Sequence, residues 1–180
     1  MDEGSVVFTM RLPSMIVGAA FDPSPDGAVI AVAREHFGFL TPVVAHASPA
    51  AALEAVRTGA ATVAVLPFPV GPSAWWSDLT ARDPRLHVIA RLPFWIARPD
   101  HVPHADTLVV GPTAPDASGA DRSFIAFADH ARLADAGLIV RATHGPIVEV
   151  DGMIAEDDPR LTTGVIVHGG YAIPVPGDPV

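Results

Sequence analysis

The chain has 180 residues, of which 49% are hydrophobic and 17% charged, and 11 basic against 20 acidic side chains give a formal net charge of −9. This length suffices for a domain with a sizeable core, and the acidic balance argues against nucleic acid or an anionic membrane surface as the main partner. Lysine, asparagine, glutamine and cysteine are absent, which excludes disulfides, thiolate metal sites and lysine or cysteine nucleophiles.

The N-terminus and the hydropathy predict a cytoplasmic protein. The chain begins Met-Asp-Glu-Gly, which is acidic where a secretory signal would be basic. Its longest apolar runs, such as Met15–Phe21, are far too short to span a bilayer. We therefore expect no membrane partner.

The first half of the sequence alternates between strand-like and helix-like segments. Helices are predicted from Gly27 to Gly38, where apolar side chains recur at helical spacing, and from Ser48 to Gly59, where Ser-Pro forms a favoured helix start. Strand, helix, strand, helix, strand with short connections predicts a βαβαβ unit with a parallel sheet. The three strands are expected at Met15–Ala20, Pro42–Ala47 and Thr62–Leu66.

The second half predicts a smaller α+β part. The segment 112–120 is rich in Pro, Asp, Ser and Gly, which is typical of a linker. The expected organisation is an N-terminal extension over 1–14, an α/β part over 15–111, this linker, and an α+β part over 121–180. Strands are expected at Leu86–Leu92, Thr107–Gly111, Arg122–Ala128, Ile147–Val150 and Val165–Val175, with short helices at Ser73–Leu79 and Ala131–Ala136.

The loop Pro67–Trp76 is the leading candidate for a ligand site. It leaves the carboxyl end of the third strand and enters a helix, which is where ligands bind in parallel α/β sheets and where backbone N–H groups receive anions. Two adjacent tryptophans offer faces for an aromatic ligand; packing of these large rings in the core is the alternative, and the more frequent one. The candidate contacts are Phe68, Gly71, Ser73, Trp75 and Trp76.

Two arginines in predicted strands, Arg91 and Arg122, are further candidates for ligand contact. A guanidinium within a strand needs an acidic partner or a carboxylate ligand. Structural salt bridges are the commoner explanation, and binding of a ligand's carboxylate is the alternative.

Other chemistries find little support in the sequence. His101 and His104 lie close together between two aspartates, but Pro103 prevents them from sharing a helix face, so we expect no metal site. The sequence contains neither a Gly-x-Ser-x-Gly elbow nor a Gly-x-Gly-x-x-Gly fingerprint. We therefore expect no cofactor.

Several segments resemble the prephenate dehydratase family. Ala51–Pro67 resembles a helix and strand of that family's first lobe, and Leu108–Gly111 with Ser118–Phe127 is similar to its passage from the catalytic domain into an ACT regulatory domain. Leu133–Leu138 and Ile147–Gly152 fit an abbreviated ACT-like unit. The resemblance implies an α/β fold, with a βαβαβ lobe like one half of a periplasmic binding protein and a smaller α+β ACT-like part.

A wider set of motifs looks like the C-terminal region of alphaproteobacterial chorismate mutase-type proteins. The resemblance implies a link to aromatic amino-acid biosynthesis and a possible chorismate mutase partner. Its motifs are Trp75-Trp76, Val88–Trp95, Asp121–Phe124, Val148–Gly152, Asp157–Leu161 and Gly170–Pro174.

The sequence also departs from the dehydratase pattern. The family's Thr-Arg-Phe is replaced by Ala105–Thr107, its Glu-Asn-Ser by Pro69–Gly71, and most of its second lobe is missing between Ala97 and Asp106. Prephenate dehydration then lacks a hydroxyl to assist loss of water and an arginine to hold the carboxylates.

The departures predict a non-catalytic ligand-binding or regulatory domain, and the resemblance implies that it is related to prephenate dehydratase and associated with chorismate mutase in aromatic amino-acid metabolism. Its expected ligand is a small carboxylate, with an aromatic one as the narrower expectation. The alternatives are a divergent prephenate dehydratase or chorismate mutase-family enzyme, and a dimerisation module that forms a homodimer.

Overall fold

A computed structural model describes residues 18–24, 27–69, 75–94, 104–126, 133, 135–161 and 164–173. Within these residues the strands form one nine-stranded sheet in the order β2-β1-β3-β5-β4-β9-β6-β8-β7. The helices are α1 (Ala28–Phe37), α2 (Pro49–Arg57) and α3 (Trp76–Thr80). The strands are β1 (Gly18–Ala20), β2 (Val43–Ala45), β3 (Val63–Pro67), β4 (His87–Leu92), β5 (Thr107–Gly111), β6 (Asp121–Ala126), β7 (Val140–His144), β8 (Ile147–Asp151) and β9 (Ile166–Ala172).

The predicted α/β class and its parallel βαβαβ unit are confirmed. Strand β1 lies between β2 and β3 and pairs with both in parallel. Helix α2 begins as the sequence predicts, because the Ser48 Oγ accepts a hydrogen bond from the Ala51 N–H at 3.2 Å. Its residues Leu53 and Val56 are buried in the main hydrophobic cluster. None of the described helices has the length and apolar character needed to cross a membrane.

The N-terminus of α1 is occupied by the chain's own side chains. The Asp22 Oδ2 accepts a hydrogen bond from the Ile30 N–H at 3.0 Å, and the Ser24 Oγ accepts one from the Ala28 N–H at 3.0 Å. These oxygens satisfy N–H groups that an anionic ligand would otherwise bind at such a position. The anion site typical of a strand–helix turn is therefore filled here by Asp22.

The remainder of the sheet is mostly antiparallel. Strand β5 pairs antiparallel with β3 and β4, and β6 pairs antiparallel with β8 and β9. Strand β7, at the sheet edge beside β8, was not predicted from the sequence. Its residues Val140–His144 are half-buried or exposed and mix polar with apolar side chains, so they lack the apolar run that marks a buried strand.

The two halves of the sheet meet where β4 pairs in parallel with β9, through Val88 and Gly169. Gly169 has a φ of +97°, and a Cβ at this position would lie 2.3 Å from the Val88 carbonyl oxygen. Only glycine permits this approach. Strands on both sides of segment 112–120 therefore belong to one sheet, and Leu53 and Tyr171 share one hydrophobic cluster. The division into two parts at that segment stays a prediction.

Candidate functional site

A cleft of about 330 Å³ opens beside the junction of the two halves. Strands β4 and β9 run parallel, so their carboxyl ends lie together, and the residue before β5 joins them because β5 runs antiparallel to β4. This topology brings Arg91, Tyr171 and Asp106 to one place. The cleft is lined by Arg91, Leu92, Pro93, His104, Asp106, Arg122, Tyr171 and Ile173.

Arg91 forms a forked ion pair with Asp106 inside the cleft. Its Nε and Nη2 donate to the two carboxylate oxygens of Asp106 at 2.9 and 2.7 Å, and its Nη1 donates to the Tyr171 hydroxyl at 3.1 Å. Burial lowers the pKa of Arg91, but the hydrogen bonds to Asp106 and Tyr171 outweigh it and leave this pKa above its ordinary value. The guanidinium is therefore permanently charged and fixed in orientation.

A buried carboxylate, Glu149, organises the floor of the cleft. Its side chain is 1% exposed and accepts hydrogen bonds from the Tyr171 hydroxyl at 2.6 Å and from the Arg122 Nη1 at 2.8 Å. The His144 Nε2 lies 3.3 Å from its second oxygen, and the Arg91 Nη1 lies 3.7 Å from it. Glu149 thus ties together both candidate arginines and the tyrosine.

The pKa values of this network follow from its contacts. Burial raises the pKa of Glu149, but the hydrogen bonds from Tyr171, Arg122 and His144 outweigh burial and hold it below its usual value. Burial and the hydrogen bond to the Glu149 carboxylate raise the pKa of Tyr171. Near neutral pH the network therefore contains an ionised Glu149 and a neutral Tyr171, whose hydroxyl donates a hydrogen bond to the Glu149 carboxylate.

Phe68 connects the predicted loop to this network. Its ring centroid lies 4.8 Å from the Arg91 Cζ and 4.8 Å from the His144 ring, which meets it edge-on. The aromatic face and the guanidinium attract each other at such distances. The structure therefore brings three of the seven candidate residues, Phe68, Arg91 and Arg122, into one cluster.

Trp75 and Trp76 do not line this cleft. Trp75 and Trp76 are 6% and 2% exposed, and the Trp76 ring packs 5.2 Å from the Phe124 ring in the core. This arrangement is the core packing weighed against ligand stacking, and ligand contact by these rings stays a prediction. Gly71 and Ser73 lie outside the described residues.

Sequence reasoning overlooked Glu149 and Tyr171 as members of the site. Glu149 stands in the apolar segment Ile147–Asp151, and Tyr171 is the single tyrosine of the chain. An acidic side chain on the buried face of a strand is expensive unless it is paired. The signal was present as a charge within an apolar run, but its partners Arg91 and Arg122 lie 58 and 27 positions away in the sequence.

Comparison with known proteins is informative only at the level of fold. No protein-family model and no curated protein matches the sequence. Prephenate dehydratase from Streptococcus mutans matches with a TM-score of 0.51 and 13% identity, over 87% of this chain and 98% of that one. Prephenate dehydratase from Arthrobacter aurescens, solved in complex with L-Phe, matches with a TM-score of 0.54 and 14% identity, over 86% and 90%. The fold is prephenate dehydratase-like.

A third solved structure shares this prephenate dehydratase-like fold. GqqA, described as a novel type of quorum quenching acylase, matches with a TM-score of 0.54 and 13% identity, over 87% of this chain and 94% of that one. The fold therefore occurs in proteins of different activity, so the fold does not determine the chemistry of this chain, which depends on its own residues.

Proposed function

We propose that the chain is a ligand-binding domain that takes a small carboxylate in the cleft beside Arg91 and Arg122. The observation that supports this most directly is the convergence of two guanidiniums and a tyrosine hydroxyl on one concave surface. Planar guanidiniums match the geometry of a carboxylate, and apolar walls around a few fixed polar groups are typical of small-molecule sites.

Arg122 is the better placed of the two arginines for a ligand's carboxylate. Its Nη1 donates to Glu149 and its buried Nε lies 3.9 Å from an Asp151 oxygen, but the remaining N–H groups are uncommitted among the described residues and the side chain is 32% exposed at the cleft. The hydrogen bond to Glu149 raises the pKa of Arg122, so its charge is fixed. The buried Glu149 orients this guanidinium from below while a ligand approaches from the open side.

Two further contacts support a non-catalytic role. Thr107, which stands in the place of the dehydratase motif, is fully buried and its Oγ1 lies 3.5 Å from the Leu92 carbonyl oxygen, to which it donates. The Tyr171 hydroxyl donates to Glu149 instead of facing a leaving group. Neither hydroxyl stands ready to assist loss of water.

The wider context belongs to the same proposal. The four-stranded antiparallel sheet β9-β6-β8-β7 supports an ACT-like regulatory part. The motif resemblance supports association with a chorismate mutase in the cytoplasm and a role in aromatic amino-acid metabolism, so an aromatic carboxylate is the narrower candidate. The ligand of the Arthrobacter aurescens neighbour, L-Phe, is a small aromatic amino acid and makes the same class the first to test.

Thermal unfolding in the presence of candidate ligands tests the binding function. L-phenylalanine, L-tyrosine, L-tryptophan, prephenate and chorismate are each added at millimolar concentration, and calorimetric titration follows for those that raise Tm. A ligand far above its Kd must stabilise the folded state, by about 2.7 kcal/mol at 100 times Kd. If none of the five raises Tm, the binding proposal is wrong.

A matched pair of variants locates the site. Arg122→Lys keeps the charge beside Glu149 but loses the forked donors, so we expect ligand affinity to fall by about tenfold or more. Arg160→Lys is the control, because Arg160 forms a forked pair with Asp158 and does not line the cleft. Equal loss in both variants would place the binding site elsewhere.

Two further measurements address the alternatives. We expect no phenylpyruvate to form from prephenate; formation that disappears in Arg122→Lys would establish a divergent dehydratase instead. We also expect ligand binding to be independent of protein concentration. The dimerisation module would be favoured by a different result. The protein would form a dimer without ligand, and substitutions in the cleft would change only the mass of the assembly.

A further inference from the structure

The charges inside the cleft are already balanced, and this restricts the ligand. Among the described residues, the guanidiniums of Arg91 and Arg122 face the carboxylates of Asp106 and Glu149. A third carboxylate, Asp151, lies 3.9 Å from the Arg122 Nε and is balanced by its own pair with Arg141. A ligand with two carboxylates would add two negative charges to this balanced set, which offers no unpaired guanidinium among the described residues for the second one. Like charges brought together at short range are unfavourable, especially away from water.

The two carboxylates of the cleft differ in their access to a ligand. Glu149 is 1% exposed and surrounded by its own donors, so it cannot be reached. Asp106 lines the cleft and is 41% exposed. Each of its oxygens accepts one hydrogen bond from Arg91, whereas a carboxylate has about four acceptor positions. Asp106 therefore retains capacity for a donor supplied by the ligand.

We propose that the cleft selects a zwitterion, a 2-amino acid whose carboxylate lies at Arg122 and whose ammonium lies at Asp106. This inference rests on the proposed binding function and narrows it. A zwitterion leaves the net charge of the site unchanged and gives each exposed charged group an opposite partner. Dicarboxylates such as prephenate and chorismate are disfavoured, although the resemblance to the dehydratases would suggest them.

The walls of the cleft indicate the side chain of this amino acid. Leu92, Pro93 and Ile173 contribute apolar surface beside the Tyr171 ring. The volume of about 330 Å³ lies at the lower end of small-molecule sites, which span about 300–1,000 Å³. An apolar side chain of the size of phenylalanine is consistent with both properties.

A matched set of four compounds tests the selection by calorimetric titration. L-phenylalanine carries both charged groups, 3-phenylpropionate lacks the ammonium, 2-phenylethylamine lacks the carboxylate, and benzylmalonate replaces the ammonium with a second carboxylate. We expect L-phenylalanine to bind about tenfold or more tightly than each of the other three. Benzylmalonate is expected to bind more weakly than 3-phenylpropionate, because its second carboxylate faces Asp106.

The variant Asp106→Asn assigns the selection to one residue. It removes the partner of the ammonium and leaves Arg91 with an unpaired charge, so we expect the order to reverse and benzylmalonate to bind more tightly than L-phenylalanine. Asp158→Asn is a matched control, because Asp158 accepts the same forked pair from Arg160, at 3.0 and 2.7 Å, outside the cleft. The control should leave the wild-type order of affinities unchanged.

The possible results separate this inference from the binding function itself. If 3-phenylpropionate or benzylmalonate binds the wild-type protein as tightly as L-phenylalanine, the zwitterion proposal is wrong while carboxylate binding stands. The same holds if Asp106→Asn leaves the order unchanged. If no compound in either set binds, carboxylate binding falls and the zwitterion proposal falls with it.

Discussion

The parallel strands β1 to β3 and the mostly antiparallel strands β4 to β9 are built from different kinds of core. Among the described residues, those from β1 to β3 bury only apolar side chains, mostly alanine, valine and leucine. The buried polar residues all belong to β5 or to later strands: Thr107, Asp121, Ser123, Glu149 and His168. The parallel strands are therefore held by hydrophobic packing, and the mostly antiparallel strands depend in addition on satisfied polar groups, which are sensitive to the loss of a partner.

The largest expected effect comes from the junction between the halves. Gly169→Ala places a Cβ against the Val88 carbonyl at a φ of +97°, so the contact between β4 and β9 has to open. We expect a loss of about 4 kcal/mol or more in the free energy of unfolding, from overpacking and backbone strain together. Chemical denaturation monitored by circular dichroism measures it.

Gly152→Ala is the control for this junction. Gly152 also has a positive φ, of +87°, but nothing lies within 4 Å of its added Cβ. Its cost of about 1 kcal/mol reports the backbone strain alone. Equal costs in the two variants would show that the close approach of β4 and β9 contributes nothing to stability.

The second prediction removes the buried acid of the antiparallel half. Glu149→Ala leaves Arg122 and Tyr171 without their partner, and breaking a buried ion pair costs about 3 kcal/mol or more. The matched control is Glu54→Ala, because Glu54 is 47% exposed and pairs with Arg82 on the surface. Its expected cost is below about 1 kcal/mol. Similar losses in both would contradict the central role of Glu149.

The third prediction concerns acid sensitivity. Burial lowers the pKa of His168 to about 4, with the charges of Arg85 and His87 adding to the effect. The unfolded chain takes up a proton on this histidine near pH 6.5 while the folded protein does not, so stability falls as the pH drops from 6.5 toward 4. We expect a loss of about 2 kcal/mol between pH 7 and pH 5 from this group. In His168→Leu the denaturation midpoint should change less with pH across that range. An unchanged pH dependence would show that His168 is not the group responsible.

The smallest effect is expected in the parallel half. Ser48→Ala removes the oxygen that accepts the Ala51 N–H, and loss of such a cap costs about 1 kcal/mol. Ser48→Asp, which restores an acceptor, should recover most of the stability. A cost similar to that of Glu149→Ala would show that the two halves do not differ as proposed.

The same contrast explains how much the sequence could predict. Strands β1 to β3 and helices α1 and α2 follow from the spacing of apolar residues and from the Ser48-Pro49 start, because these signals are local. Strand β7 escaped prediction because an edge strand with Arg141 and His144 has no continuous apolar face. Local patterns therefore predict the parallel half better than the antiparallel one.

The sequence predicted the two arginines of the site but not the network in which they take part. Arg91 and Arg122 were identified because a charge within a strand requires a partner. Glu149 and Tyr171, which complete the network, are brought to them only by the pairing of β6 with β8 and β9. Such pairings depend on the whole sheet, and no motif of the sequence encodes them.

The contact between Val88 and Gly169 also determines how the molecule should unfold. The cleft spans this contact, since Arg91 belongs to β4 and Tyr171 to β9, and the proposed ligand would touch both halves at once. Whatever stabilises the cleft therefore couples the two halves into one cooperative unit. We therefore expect the wild-type protein to unfold in a single transition, at a higher temperature when the proposed ligand is present, and in two transitions when β4 and β9 are forced apart.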